Sequence, residues 1–400
     1  MSTTTFETAS ASSSKEAEKN PYVHLGYLDG LRAVAALFVL FSHILCTVAP
    51  TGLLAPLTSW LFYGKFAVNL FLVLSGFCLM LPVVLGSGTL AGGARKFYLK
   101  RARRIIPPYY CAIALSILLA MTLLRQKTGT IWDYSLPVTA KDVVYHLLML
   151  HDLYGVGKIN YPLWTVAVEW QIYFLFPLLV LAWQKSNGAK VTALAVVGGY
   201  LAAFTVYHVH ILSWLQGMTF QYVGLFALGM FAAAVSYSRS EALVSLRQRL
   251  PWGSLTLCGA AVIILCCNVL GRSGVGQHQP LVDILAGISA VCLLIYSSAK
   301  HPRNIVRHLL DRKLLVTIGT FAYSVYLVHA PLIQLVWLYG VRPLHLSTSA
   351  GFIVLAVVGA PLVIGCAYLF FVGFEKPFLT KHKRSNKTLP VNEAAITPTI

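Results

Sequence analysis

Residues 28–43 read Leu-Asp-Gly-Leu-Arg-Ala-Val-Ala-Ala-Leu-Phe-Val-Leu-Phe-Ser-His, the opening of an apolar run that continues to residue 49 and holds Arg32 and His43. A run of about 20 residues is long enough to cross the hydrocarbon core of a bilayer as a helix. Comparable runs follow near 57–84, 106–124, 163–183, 189–207, 218–235, 252–270, 281–298, 314–338 and 350–374. They are continuous and do not alternate, which favours helices over a barrel, and an open sheet cannot span lipid. The sequence therefore predicts an all-α, polytopic integral membrane protein with about ten transmembrane helices.

Composition agrees. Hydrophobic residues make up 57% of the 400 and charged residues 11%, against about a quarter charged in soluble domains. A water-soluble fold could not cover its surface with so few charges, and a disordered chain would not carry so much apolar surface. Thirty-one Lys and Arg against thirteen Asp and Glu give a formal charge of +18. Residues 1–28, 85–105, 184–190, 236–251, 299–313 and 375–400 hold 23 of the basic residues, and the intervening loops hold six. That bias places both termini in the cytoplasm. It explains most of the charge by topology, with the lipid bilayer as partner and no nucleic acid. Residues 1–26 read as a disordered cytoplasmic tail without the apolar centre of a signal peptide, 27–378 as the transmembrane unit, and 379–400 as a basic cytoplasmic tail. The eight cysteines lie in apolar stretches with no CxxC pair, as small core residues do.

Ionisable groups inside spans are costly and point to function. Arg32 and His43 are eleven residues apart, about 20° past three full turns and about 16 Å along the axis, so they share one stripe. Counted from the cytoplasmic ends of their spans, His43, Glu169 and His329 all fall about 21–22 Å deep. An imidazole there can take a proton from a hydroxyl while a carboxylate orients it or supports its charge. For His329 a second reading stands beside this one: it precedes Pro331 and would satisfy a carbonyl freed by the proline.

The run Arg95, Lys96, Lys100, Arg101, Arg103, Arg104 ends in Ile-Ile-Pro-Pro. It has two uses, a stop-transfer cluster on anionic headgroups or a phosphate clamp in which Arg101 and Arg104, one turn apart, act with Arg32. Pro107 and Pro108 would fix where the third helix begins. Ser75, beside Gly76, suits close helix packing better than nucleophilic attack. The chain has no G-x-S-x-G, Walker A, G-x-G-x-x-G or H-E-x-x-H motif, so metal, nucleotide and hydride chemistry have no foothold and no metal ligands are expected.

Six motifs in order resemble the acyltransferase 3 family over roughly residues 25–378. They are Arg32 and His43 as R-x10-H; Phe71 to Phe77 as Phe-x-x-x-Ser-Gly-Phe; Arg101 to Arg104 as R-x-x-R before proline; Trp164 to Glu169, continuing to Pro177; Tyr323 to His329 as Tyr-Ser-x-Tyr-Leu-x-His; and Glu375 to Pro377 as Glu-x-Pro. Trp170 departs from the pattern, since many members carry a second acidic residue there. The resemblance implies O-acyl transfer, usually of acetyl, from cytoplasmic acyl-CoA to a hydroxyl of a sugar, polysaccharide precursor or specialised metabolite. Acyl-CoA, chiefly acetyl-CoA, would be a co-substrate, with no permanently bound cofactor. The expected site has His43 as general base, Glu169 supporting it, His329 or Tyr326 at the oxyanion, and Arg32, Arg101 and Arg104 on the coenzyme A phosphates. The rivals are a transporter exporting an acylated or anionic product, and transfer of succinyl or longer acyl groups.

Overall fold

A computed structural model describes residues 25–154, 156–299, 301 and 304–379. The expectations for the two tails fall outside these residues, except at 25, 26 and 379. All regular structure among the described residues is helical. In chain order the α-helices are α1 (Gly26–Thr47), α2 (Leu54–Thr58), α3 (Lys65–Leu85), α4 (Gly93–Met121), α5 (Ala140–Leu147), α6 (Trp164–Lys185), α7 (Gly188–His208) and α8 (Gln221–Tyr237). They continue as α9 (Glu241–Arg249), α10 (Trp252–Gln277), α11 (Gln279–Ser298), α12 (Ile305–Leu310), α13 (Lys313–Thr320), α14 (Ala322–Leu335), α15 (Thr348–Val354) and α16 (Ala360–Phe370).

Nine helical stretches among the described residues are long and apolar enough to cross a membrane, and a tenth is reached if α8 and α9 count as one broken span. The expected sixth span is the exception. Its helix α8 has 17 residues, about 25 Å of rise against a core of about 30 Å. The chain then turns by 93° into the polar α9.

Two further boundaries differ from expectation. Helix α4 starts at Gly93 and runs through Pro107 and Pro108, so the prolines do not open it. The residues before them are largely Ala, Lys, Leu and Arg, all good helix formers, and they carry Arg101 and Arg104 on regular helix. The expected ninth span breaks at Phe321, which leaves helical geometry between α13 and α14. Gly319 there crosses the backbone of Asp29 so closely that a Cβ would lie 1.9 Å from its carbonyl oxygen. Phe321 is buried against Tyr368 and Phe371.

Helices α3 and α8 also cross at close range. A Cβ on Gly76 would lie 2.0 Å from the Phe226 oxygen, and one on Gly229 would lie 1.9 Å from the Val73 oxygen. Without a hydrophobic force between helices in lipid, such small-residue contacts let backbones approach and gain dispersion. The core lies among α1, α3, α4, α6, α8 and α14, while α10 keeps nearly all its side chains at the periphery. At one end of the bundle Tyr27 and Tyr237 share a hydrogen bond of 3.0 Å, and the Arg307 guanidinium lies 4.9 Å from the Tyr27 ring.

Candidate active site

A cavity of about 300 Å³ opens between α1, α3, α4, α6 and the α13–α14 break, with Glu375 also in its wall. Arg32, Arg101, Arg104 and Glu169 all line it, so four of the six site residues expected from sequence meet in one space. Arg32 donates to Asp29 Oδ1 at 2.5 Å and to Cys78 Sγ at 3.0 Å, which holds its guanidinium across from α3. Arg101 lies 6.0 Å from the Phe97 ring centroid, and its buried Nε has no hydrogen-bond partner among the described residues. The break at Phe321 sets Ala322 and Tyr323, the start of α14, in the same wall. The Ser324 backbone N–H and hydroxyl at this helix start already turn to the Glu375 carboxylate, so the arginines are the cavity groups that favour an anion.

Glu169 accepts from the Tyr173 hydroxyl at 2.5 Å. With that proton spent, Ser75, 2.9 Å from the same oxygen, donates to Tyr173. Ser75 is therefore part of the cavity's polar wall, while its neighbour Gly76 does the packing. Glu375, 2% exposed, accepts from Ser324 Oγ at 2.5 Å. Sequence reasoning matched Glu375 only as part of a motif and gave Tyr173 and Thr165 no role. Their signal was spacing: Tyr173 is one turn after Glu169 and so on the same face.

The imidazoles stand behind this wall. His43 Nδ1 and His329 Nε2 are 2.7 Å apart, which brings together two residues 286 positions apart in sequence. His329 is 1% exposed, and the edge of Tyr161 meets the His43 ring at 4.9 Å. Tyr326 separates the pair from the cavity. It lines the cavity, its ring centroid is 5.7 Å from that of His329, and its hydroxyl donates to the Pro162 carbonyl at 2.7 Å and contacts Thr165 Oγ1 at 2.5 Å. Among the described residues Glu169 makes no hydrogen bond to His43; equal depth brought the two histidines into contact and left the carboxylate with Tyr173. Near the start of α11, Asp283 is an acidic residue the sequence reading passed over. It is fully buried and accepts from Asn69 Nδ2 at 2.8 Å and Gln279 Nε2 at 2.7 Å.

The fold is a polytopic helical bundle with an arginine-lined cavity beside buried imidazoles, and comparison with known proteins names its class. The chain belongs to the acyltransferase 3 family, whose acyltransferase domain matches residues 25–372, and it is a multi-pass membrane protein. It is similar to the peptidoglycan O-acetyltransferase OatA of Listeria monocytogenes, 23% identical over 324 residues, covering 77% of this chain and 49% of the relative. YrhL of Bacillus subtilis is 23% identical over 380 residues, 90% of this chain and 55% of the relative. Nodulation protein 10 of Rhizobium leguminosarum bv. viciae is 29% identical over 196 residues, 45% of this chain and 51% of the relative. The chain thus spans about half the length of these relatives. No solved structure matches it.

Proposed function

We propose that the protein is an O-acetyltransferase that moves an acyl group from acyl-CoA to a hydroxyl of a sugar, polysaccharide precursor or specialised metabolite. The observation that carries this reading is the cavity where Arg32, Arg101, Arg104 and the start of α14 converge. Phosphates are anions that arginine forks hold well, often through two parallel hydrogen bonds. Coenzyme A is a phosphate-bearing thioester carrier, and its pantetheine arm would run along a cavity whose wall includes Tyr326 and Thr165. The naming of OatA as a peptidoglycan O-acetyltransferase supports acetyl as the group and a glycan hydroxyl as the acceptor.

In this reading the acceptor hydroxyl gives its proton to His43 while its oxygen attacks the thioester carbonyl. A C–O bond forms, the C–S bond breaks, and the proton passes from His43 to the departing thiolate. No covalent enzyme intermediate is needed. Tyr326, between the cavity and the histidines, must shift for the thioester to reach His43. Glu169 fixes Tyr173 and balances Arg101, while Glu375 fixes Ser324 and balances Arg104. The excess of basic residues in the loops on the side of α4 that carries Arg101 and Arg104 supports a cavity that opens to the cytoplasm, where acyl-CoA is made.

The test is purified protein in lipid nanodiscs with radiolabelled acetyl-CoA and a panel of mono- and oligosaccharides. Ester-bound label appearing with an equal amount of free coenzyme A supports the proposal. Acetyl-CoA left intact while label or sugar crosses a vesicle membrane would favour a transporter.

A further inference from the structure

We propose that His329 is a positioning residue that fixes the tautomer of His43, leaving Nε2 of His43 as the basic atom. The inference rests on the acyl-transfer reading above and adds which nitrogen works and what holds it.

The argument is one of proton accounting. Among the described residues His329 Nδ1 faces only backbone acceptors, the carbonyl oxygens of Tyr326 at 2.7 Å and Val325 at 3.1 Å. A carbonyl cannot donate, so Nδ1 of His329 carries the proton. A neutral His329 then has a bare Nε2, and that atom lies 2.7 Å from His43 Nδ1. The bond between the rings needs one hydrogen, which His43 Nδ1 must supply. His43 is thereby the Nδ1–H tautomer, and its Nε2, without a hydrogen bond among the described residues, keeps its lone pair for the acceptor hydroxyl.

Ring geometry agrees. The planes are 9° apart and the centroids 4.9 Å, the separation two imidazoles give when they meet edge to edge through a 2.7 Å N···N bond. The arrangement is in-plane hydrogen bonding, with the shared hydrogen on the lone-pair axis of both atoms. When His43 Nε2 gains the hydroxyl proton, the same bond becomes charge-assisted and steadies the imidazolium. A carboxylate does this in the serine hydrolase triad, where loss of the correct tautomer costs about 10⁴ in kcat. Here a neutral imidazole anchored to the α14 backbone performs it. The same proton accounting removes His329 from the oxyanion, because its only N–H is already given to carbonyls.

Two variants and one spectrum test this. His329→Leu removes the acceptor, and His329→Gln restores one, since its amide oxygen reaches the place of Nε2. The Leu variant should lose about a hundredfold or more in kcat with KM for acetyl-CoA changed less than about twofold, and the Gln variant should recover at least tenfold of that loss. Nitrogen-15 NMR of histidine-labelled protein in lipid, with the His43 signals identified by their absence in His43→Ala, reads the tautomer directly. Wild type should show a protonated Nδ1 and bare Nε2 on His43, and His329→Leu should lose that preference. A wild-type His43 protonated on Nε2, or a Leu variant that keeps the Nδ1–H form and its kcat, overturns the proposal. The spectrum answers even if no sugar accepts an acetyl group, so failure of the tautomer and failure of the transfer reading are told apart.

Discussion

Arg101 and Arg104 sit one turn apart on α4 and face Arg32 across the cavity. Charge-assisted bonds to a bound phosphate contribute about 1.5–3 kcal/mol each, so Arg101→Ala or Arg104→Ala should weaken acetyl-CoA binding about ten- to a hundredfold. Calorimetry in nanodiscs would measure it, with acceptor KM as the control; equal weakening of both would remove the phosphate role. The pairing of Arg32 with His43 on one stripe was legible because helical period alone fixes azimuth along a single helix. The partner of His43 was not. Counting residues gives depth, and depth brought Glu169 and His329 to the same level, but which of them touches His43 depends on how α6 and α14 rotate and pack. That information resides in non-local contacts such as the Tyr326 bond to Pro162.

At the scale of elements, the α3–α8 crossing has no room for a side chain at Gly229. Gly229→Leu should force the helices apart and cost about 3 kcal/mol or more. A lower melting temperature and loss of monodisperse protein in detergent would register this, and an unchanged melt would contradict the crossing. The Ser-Gly pair at 75 and 76 hinted at such packing, yet its partner glycine lay in another span with nothing local to mark it. The connection between α4 and α6 has its own device. His146 and His151 stack at 4.0 Å and both are buried. Burial, and secondarily the neighbouring His146, push His151 down to about 3, while an unfolded chain binds that proton near about 6.5. Between those values the unfolded segment holds more protons, so its stability is complete above about pH 6.5 and falls as pH drops towards 3. Hydrogen exchange of amides 140–154, corrected for intrinsic rate, should quicken from pH 7 to pH 5, and His151→Phe should flatten the response. Exchange independent of pH would show that the imidazoles are not held neutral.

For the whole molecule, hydropathy identified a bundle because lipid demands long apolar helices with every backbone group paired. It could not see the short α8, the break at Phe321, or the continuity of α4 through two prolines. Each follows from tertiary packing overriding local preference, and the last two shape the cavity, since one supplies its helix start and the other its arginines. The assembled protein thus sets an arginine-lined cavity beside an imidazole pair, with one tyrosine between them. The most direct test of that union measures acetyl-CoA binding and acetyl transfer on the same His43→Ala preparation. Binding within about twofold of wild type with transfer below a tenth is the expected result for loss of a general base; transfer above a tenth of wild type would contradict the assignment of His43.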